Sequence, residues 1–221
     1  MQTIPLFPLH TVLFPGMPVR LHIFEERYRL MIRHCMQANQ PFGVVLIQQG
    51  LEANGPLAIP YRVGCTARIV EYQTLPDGRM NLIVVGDERF EVLDLDEESQ
   101  PYLLGSVRSF PLASPSAQAL AAMLKRLAGW VEEYLQRLAQ WLKDRSFEID
   151  RSILPDDPLL RLYLAAALLQ IPNHEKQDLL ALPAADELMD GVFRLYRREV
   201  ALLDHSAAVP EATAERLARW N

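Results

Sequence analysis

Cysteine is scarce: Cys35 and Cys65 are the only two among 221 residues. Neither belongs to a C-x-x-C pair, so cysteine alone assembles neither a structural zinc site nor a disulfide framework. Each falls among apolar neighbours, Cys35 on a stripe with Phe24, Tyr28 and Met31, and Cys65 in alternation with Val63, Ala67 and Ile69. Both therefore read as small core residues. Long apolar runs are also missing. The longest, Leu159 to Ile171, is broken by Arg161 and is too short to span a bilayer, and the opening MQTIPLFPLH has no basic segment followed by an apolar one. This reading makes the protein cytoplasmic with no membrane partner. Basic charge is in deficit: 22 Lys and Arg against 28 Asp and Glu give a net charge of −6. Phosphate binding is dominated by Lys and Arg, so the balance argues against nucleic acid as a partner.

Catalytic motifs are missing as well. Gly50 to Gly55 has the spacing that opens a phosphate loop, but Pro56 and Leu57 stand where Lys and Ser or Thr are required. The histidines, His10, His22, His34, His174 and His205, show no metal-ligand spacing, and neighbours such as His34 and Cys35 point in different directions on one helix. The acidic runs Asp94 to Glu98 and Asp156-Asp157 read as solvated loops. There is no G-x-S-x-G elbow, and Ser106 follows Gly105 inside an expected strand. The chain is expected to be no enzyme and to carry no cofactor and no metal; its chemistry is that of a binding protein.

What is present is a large apolar fraction, 50%, arranged with two different periods. Prolines at 5, 8, 15 and 18 predict an extended opening, a turn at Phe14-Pro15-Gly16-Met17 and a strand through Val19, Leu21 and Ile23. A helix over 25–37 follows, with Phe24, Tyr28, Met31, Ile32 and Cys35 on one face, then a buried strand from Phe42 to Ile47 and a loop over 50–60. The segments 63–75 and 80–85 form a hairpin about Pro76-Asp77-Gly78, 88–95 continues the meander with Phe90 and Val92 inward, and 102–110 adds a strand. Short strands with one early helix suggest a small closed or nearly closed β-barrel.

After the link Leu112-Ala113-Ser114-Pro115-Ser116, where Ser114 or Ser116 can cap, the period becomes helical. Leu120, Leu124, Leu127, Val131, Tyr134, Leu138 and Trp141 describe a helix of about 40 Å at ~1.5 Å per residue. Asp157-Pro158 starts an apolar helix suited to the middle of a bundle, and Pro172-Asn173 ends it and caps a short helix over 174–182. A last helix runs from Asp186 and Glu187 through Leu188, Val192, Leu195 and Leu202, with Arg194, Arg197 and Arg198 placed late to suit its dipole. The expectation is an α+β chain of two domains, a barrel over 1–112 and a helical bundle with a C-terminal tail over 113–221.

The segments PLHTVLFPGMPVRLHIFEERYRLMI, GCTARIVEY, DGRMNLIVVGDERFEVL and EKQDLLAL, in this order and spacing, resemble the amino-terminal substrate-binding domain of the Lon proteases. The resemblance runs from Ile4 to about Leu203 and implies a PUA-like β-barrel followed by an α-helical bundle. It also implies recognition of unfolded or tagged polypeptides, with a protease or chaperone as a further partner. With no Walker A sequence and no Ser-Lys peptidase segment, the implied form is a stand-alone member acting as an adaptor or chaperone-like factor in protein quality control. Mixed charge at Glu25, Glu26 and Arg27 departs from the Gly-Arg-Glu-Lys-like segment of the full-length proteases. An RNA-binding PUA-like protein is the alternative, and it predicts a contiguous basic surface.

The expected binding surface lies at the Phe14 to Met17 turn and the start of the first helix. Phe14 and Met17 flank a Pro-Gly turn where apolar side chains need not be buried, Glu26 lies beside them, and Arg27 can hold a peptide carbonyl or carboxylate. The competing assignment has Phe14 plugging the barrel and Arg27 paired with a neighbouring glutamate. A groove between barrel and bundle is the other place to look.

Overall fold

A computed structural model describes residues 1–52, 55, 57–113, 115–142 and 154–208. Prolines at 5 and 8 do not keep the opening segment out of the sheet. It forms β1 (Gln2–Leu9), whose first half pairs antiparallel with β7 (Leu104–Ser109) and whose second half pairs parallel with β3 (Phe42–Gln49). Because each half is paired along one edge, a proline nitrogen can face the bare one. The expected turn follows: Met17 N–H donates to the Phe14 carbonyl at 3.1 Å, and Gly16 takes φ +78°, the left-handed region that glycine occupies without strain.

The chain then enters β2 (Pro18–Ile23), which pairs with β6 (Met80–Asp96) and with no other strand among the described residues. The next element, α1 (Glu26–Ala38), buries Tyr28, Met31, Ile32 and Cys35 and stops at Asn39, whose left-handed backbone (φ 49°) turns its N–H back to Cys35 and Met36. Phe24, expected on that buried face, is 45% exposed. It precedes the extended N-cap Glu25, so the helical period does not reach it.

The hairpin of β5 (Val63–Thr74) with β6 forms as expected, with Gly78 N–H closing on the Leu75 carbonyl at 2.8 Å. What read as two strands, 80–85 and 88–95, is one strand of 17 residues that exchanges β2 for β7 along its length. The exchange happens around Gly86. Its N–H donates to the Met17 carbonyl, its carbonyl accepts from Gly16, and a Cβ there would lie 2.3 Å from the Phe14 carbonyl oxygen. The expected 50–60 loop also contributes a short strand, β4 (Ile59–Pro60), against β3. The pairings β1–β7–β6–β5–β3–β1 close on themselves, so the sheet is a ring with β2 and β4 as additions. Its interior is filled by Phe7, Ile32, Phe42 and Leu82 near α1, and by Ile4, Leu6, Phe90 and Leu103 at the other end.

Among the described residues four further helices follow: α2 (Ala117–Trp141), α3 (Pro158–Leu168), α4 (Asn173–Leu180) and α5 (Ala185–Ala208). Ser116 caps α2 and Asp157 caps α3, their oxygens accepting from Ala119 and Leu159 N–H. Leu120, Leu127, Tyr134, Leu162, Leu188 and Tyr196 make the core, where the Tyr196 hydroxyl donates to the Ala165 carbonyl at 2.7 Å and Gln170 N–H donates to the Tyr134 hydroxyl at 2.9 Å. Four expectations change. Trp141, the last residue of α2, is 58% exposed, and Leu202 on α5 is exposed too. Asn173 is the first residue of α4, not its cap; its amide donates to the His10 carbonyl. Finally, α5 runs on to Ala208, so Arg194, Arg197 and Arg198 fall mid-helix, away from its carboxyl end. Arg198 pairs with Glu175 and Glu199 instead. Ser114 and the tail over 209–221 lie outside the described residues.

Strands and helices meet across a seam. Arg89 of β6, 3% exposed, donates through Nη1 to the carbonyls of Leu180 and Leu182 at 2.6 and 2.7 Å, at the carboxyl end of α4. Its guanidinium lies over the rings of Phe110 (4.7 Å) and Tyr163 (6.0 Å). Gln177 donates to the Val63 carbonyl at 2.9 Å, and Phe14 and Val63 pack into the helical core. Removing the guanidinium strands two buried carbonyls. Arg89→Ala is expected to lower the unfolding free energy by about 3 kcal/mol in urea denaturation, with Arg89→Lys falling between it and wild type. A wild-type midpoint for Arg89→Ala would contradict this account of the seam.

Candidate functional site

Arg20, Leu21, His22 and Ile23, four consecutive residues of β2, border one cleft of about 290 Å³. Strand alternation sets their roles. Leu21 and Ile23 are buried and, with Phe7 and Leu9 of β1 and Tyr28 of α1, make an apolar floor; Arg20 and His22 are exposed at the rim. The Phe7 and Tyr28 rings meet at 4.3 Å and 46°, which fixes the floor's aromatic centre. Across the rim, Phe24 stands exposed beside His22, their rings 6.1 Å apart and 24° from parallel, while His22 Nδ1 lies 2.7 Å from Asn81 Oδ1.

The rim's charges are partly neutralised. Glu25 pairs with Arg27 at 3.0 Å, and Glu52 accepts His10 N–H at 2.6 Å. Arg27 also lies over the Tyr28 ring at 4.7 Å and donates to the Gly55 carbonyl at 3.3 Å, fastening the 50s loop to the start of α1. Burial pushes the Tyr28 hydroxyl up to about 12, an effect that the Arg27 cation opposes. Cys35 and Cys65 are buried free thiols held up at about 11 and about 12 by the same desolvation. Among the described residues no group of three or more His, Cys, Asp or Glu is arranged to hold a metal ion. The arrangement offers an apolar slot with polar edges, suited to holding side chains.

Residues 3–196 match the family model of the ATP-dependent protease La (LON) substrate-binding domain. The chain belongs to that family. It is 30% identical over 214 residues to the Lon protease of Anaeromyxobacter dehalogenans and 29% identical over 216 residues to Lon protease 2 of Myxococcus xanthus. These matches take in 95% and 96% of this chain but 25% of either relative, so the chain spans about a quarter of the curated Lon proteases it matches. In structure it is similar to the Lon N-terminal domain protein from Xanthomonas campestris, with TM-score 0.60, 24% identity, and 88% of this chain and 98% of that one covered. The N-terminal domain of the Mycobacterium avium complex Lon protease gives TM-score 0.62 at 18% identity, covering 89% and 98%. These two likenesses establish a shared Lon N-terminal fold.

Within this Lon-type domain the residues singled out by sequence separate. Phe14 is 1% exposed and packs toward Tyr163, ring centroids 6.3 Å apart, so it is not available on the turn; a turn clamped to Gly86 directs it into the helical core. Met17 is half-buried against both cores and does not border the cleft. Glu26 is exposed on the first turn of α1, and Arg27 is engaged with Glu25. None of the four borders the cleft: Arg27 touches its lining through Glu25 and Tyr28, Glu26 is the exposed neighbour between them, and Phe14 and Met17 lie at the seam. Phe24 and the β2 rim were missed. Their signal was the alternation of polar and apolar residues in RLHIF, which carries Arg20, His22 and Phe24 to one side.

The Tyr28 proton gives a pH signature. The unfolded tyrosine titrates near 10 and the folded one near 12, so this contribution to stability is full below pH 10 and is lost as pH rises through 12. Burial raises Tyr163 and Tyr196 in the same direction, so Tyr28→Phe is expected to flatten the alkaline fall in stability without abolishing it. Denaturation midpoints across that range that coincide for Tyr28→Phe and wild type would contradict the burial of this hydroxyl.

Proposed function

We propose that this Lon-type domain is a non-catalytic polypeptide-binding module that captures unfolded or tagged chains in the cleft between β1, β2 and α1. The observation that carries the reading is the cleft itself: an aromatic and aliphatic floor, an exposed Phe24 at the rim and polar groups around it, in a member of a substrate-binding family. Exposed aromatic residues beside a dry floor are where polypeptide contacts concentrate energy. The reading treats 1–112 as a barrel domain that presents the cleft and 113–221 as a helical domain that braces it. Glu26 and Arg27 serve it from the edge, Arg27 by holding the 50s loop in place. Handing the captured chain to a protease or chaperone, as an adaptor does, is part of the same proposal.

Reduced, carboxymethylated α-lactalbumin serves as the unfolded probe. Phe24→Ser combined with Arg20→Glu, both exposed positions, is expected to leave the melting temperature near wild type and to weaken capture by about fivefold or more. Equal capture by folded variant and wild type would remove the cleft as the binding site.

A further inference from the structure

A strand's side chains alternate between its two faces, so four consecutive residues can border one cavity only where it runs along the strand's edge. The residues bordering the cleft include Arg20 to Ile23 and none from β6, the one strand that pairs with β2 among the described residues. The cleft therefore lies on the side of β2 away from β6, where every second residue of the strand presents its N–H and C=O with no ladder partner among the described residues. An open edge of this kind is a template for another strand.

We propose that the polypeptide binds by strand addition: an extended segment pairs its main chain with the free edge of β2 and sets alternate apolar side chains on the floor of Phe7, Leu9 and Tyr28. This rests on the polypeptide-binding reading and states its mode. Main-chain pairing supplies affinity that any sequence can use, while the floor and rim set a mild preference. The cleft's volume, near the small end of ligand cavities (about 300 Å³), suits side chains of an extended segment and not a folded partner.

Charge narrows the occupant further. Glu25 is met by Arg27 and Glu52 accepts a neutral backbone N–H from His10, whereas Arg20 makes no ion pair among the described residues. Arg20 is thus a rim cation open to a partner, and the segment that fits sets a carboxylate on it beside its apolar residues. A second copy of this chain fits less well, since two molecules each of net charge −6 repel.

The test uses a fluorescent peptide of about eight residues, long enough to cover a six-residue strand, alternating valine and threonine with one glutamate. It is made in three forms: unmodified, N-methylated at odd positions and N-methylated at even positions. In a paired strand alternate amides face opposite edges, so one methylated form is expected to lose about tenfold or more in affinity and the other to stay within about twofold of the parent. Arg20→Glu is expected to weaken the parent by about fivefold. Two methylated forms that behave alike, both binding or both failing, would overturn strand addition while a parent sensitive to Arg20→Glu leaves the polypeptide-binding cleft standing. A parent that fails to bind, or that binds Arg20→Glu as it binds wild type, would overturn both. A dimer that the parent peptide cannot dissociate would show the edge to be taken by a second copy and overturn the assignment of a client.

Discussion

The burial of the Arg89 guanidinium between β6 and the carboxyl end of α4 is the constraint on which the rest of the molecule depends. A cation taken out of water needs compensation, and burial pulls the Arg89 pKa down accordingly. The compensation is geometric. The carbonyls of Leu180 and Leu182 are acceptors that the end of a helix leaves over, and they sit at the negative pole of α4; the rings of Phe110 and Tyr163 cover the rest of the group. Once these contacts are made, Phe14 and Val63 are carried into the helical core, and the Gln177 amide and the Ala113–Ala184 bridge follow along the same seam.

That seam positions the cleft at one remove. The turn of residues 14–17 is held at both ends, by Phe14 in the helical core and by its hydrogen bonds to Gly86, so β2 leaves it at a fixed angle and pairs with β6 through Ile23. The long β6 can serve β2 with one half and β7 with the other, and this division leaves the second edge of β2 without a strand partner among the described residues. On the opposite bank, Tyr28 is wedged against Phe7 and topped by Arg27, which also reaches the 50s loop. In the proposed reading the edge that captures a disordered chain is mounted on a closed sheet, so most of the ordering cost falls on the client.

Much of this was legible in the sequence. The proline-punctuated opening, the Pro76-Asp77-Gly78 hairpin, the stripe of α1 and the caps at Ser116 and Asp157 are local signals, and each formed where local chemistry required it. Phe14 was left between a surface and a buried place because a Pro-Gly turn says nothing about what packs over it, and the partner, Tyr163, lies far along the chain. Arg89 within DERFEVL reads as a solvent-facing residue beside inward Phe90; only the tertiary placement of α4 makes it a core group. Arg194, Arg197 and Arg198 read as late in the last helix because its apolar pattern ends near Leu202, whereas the helix continues to Ala208. Strand order, and with it the bare edge of β2, is not a local property at all, since it depends on which strands close the ring.

The claim that most needs testing is that client polypeptide is taken up along β2 and the start of α1, on a barrel whose seam with the helices stays shut. Amide hydrogen exchange with and without an unfolded polypeptide reads both parts at once. The account predicts slowed exchange at residues 19–23 and at the first turn of α1, with α2 to α5 unchanged. Slowing confined to the helices, or faster exchange along α4 as client binds, would contradict it.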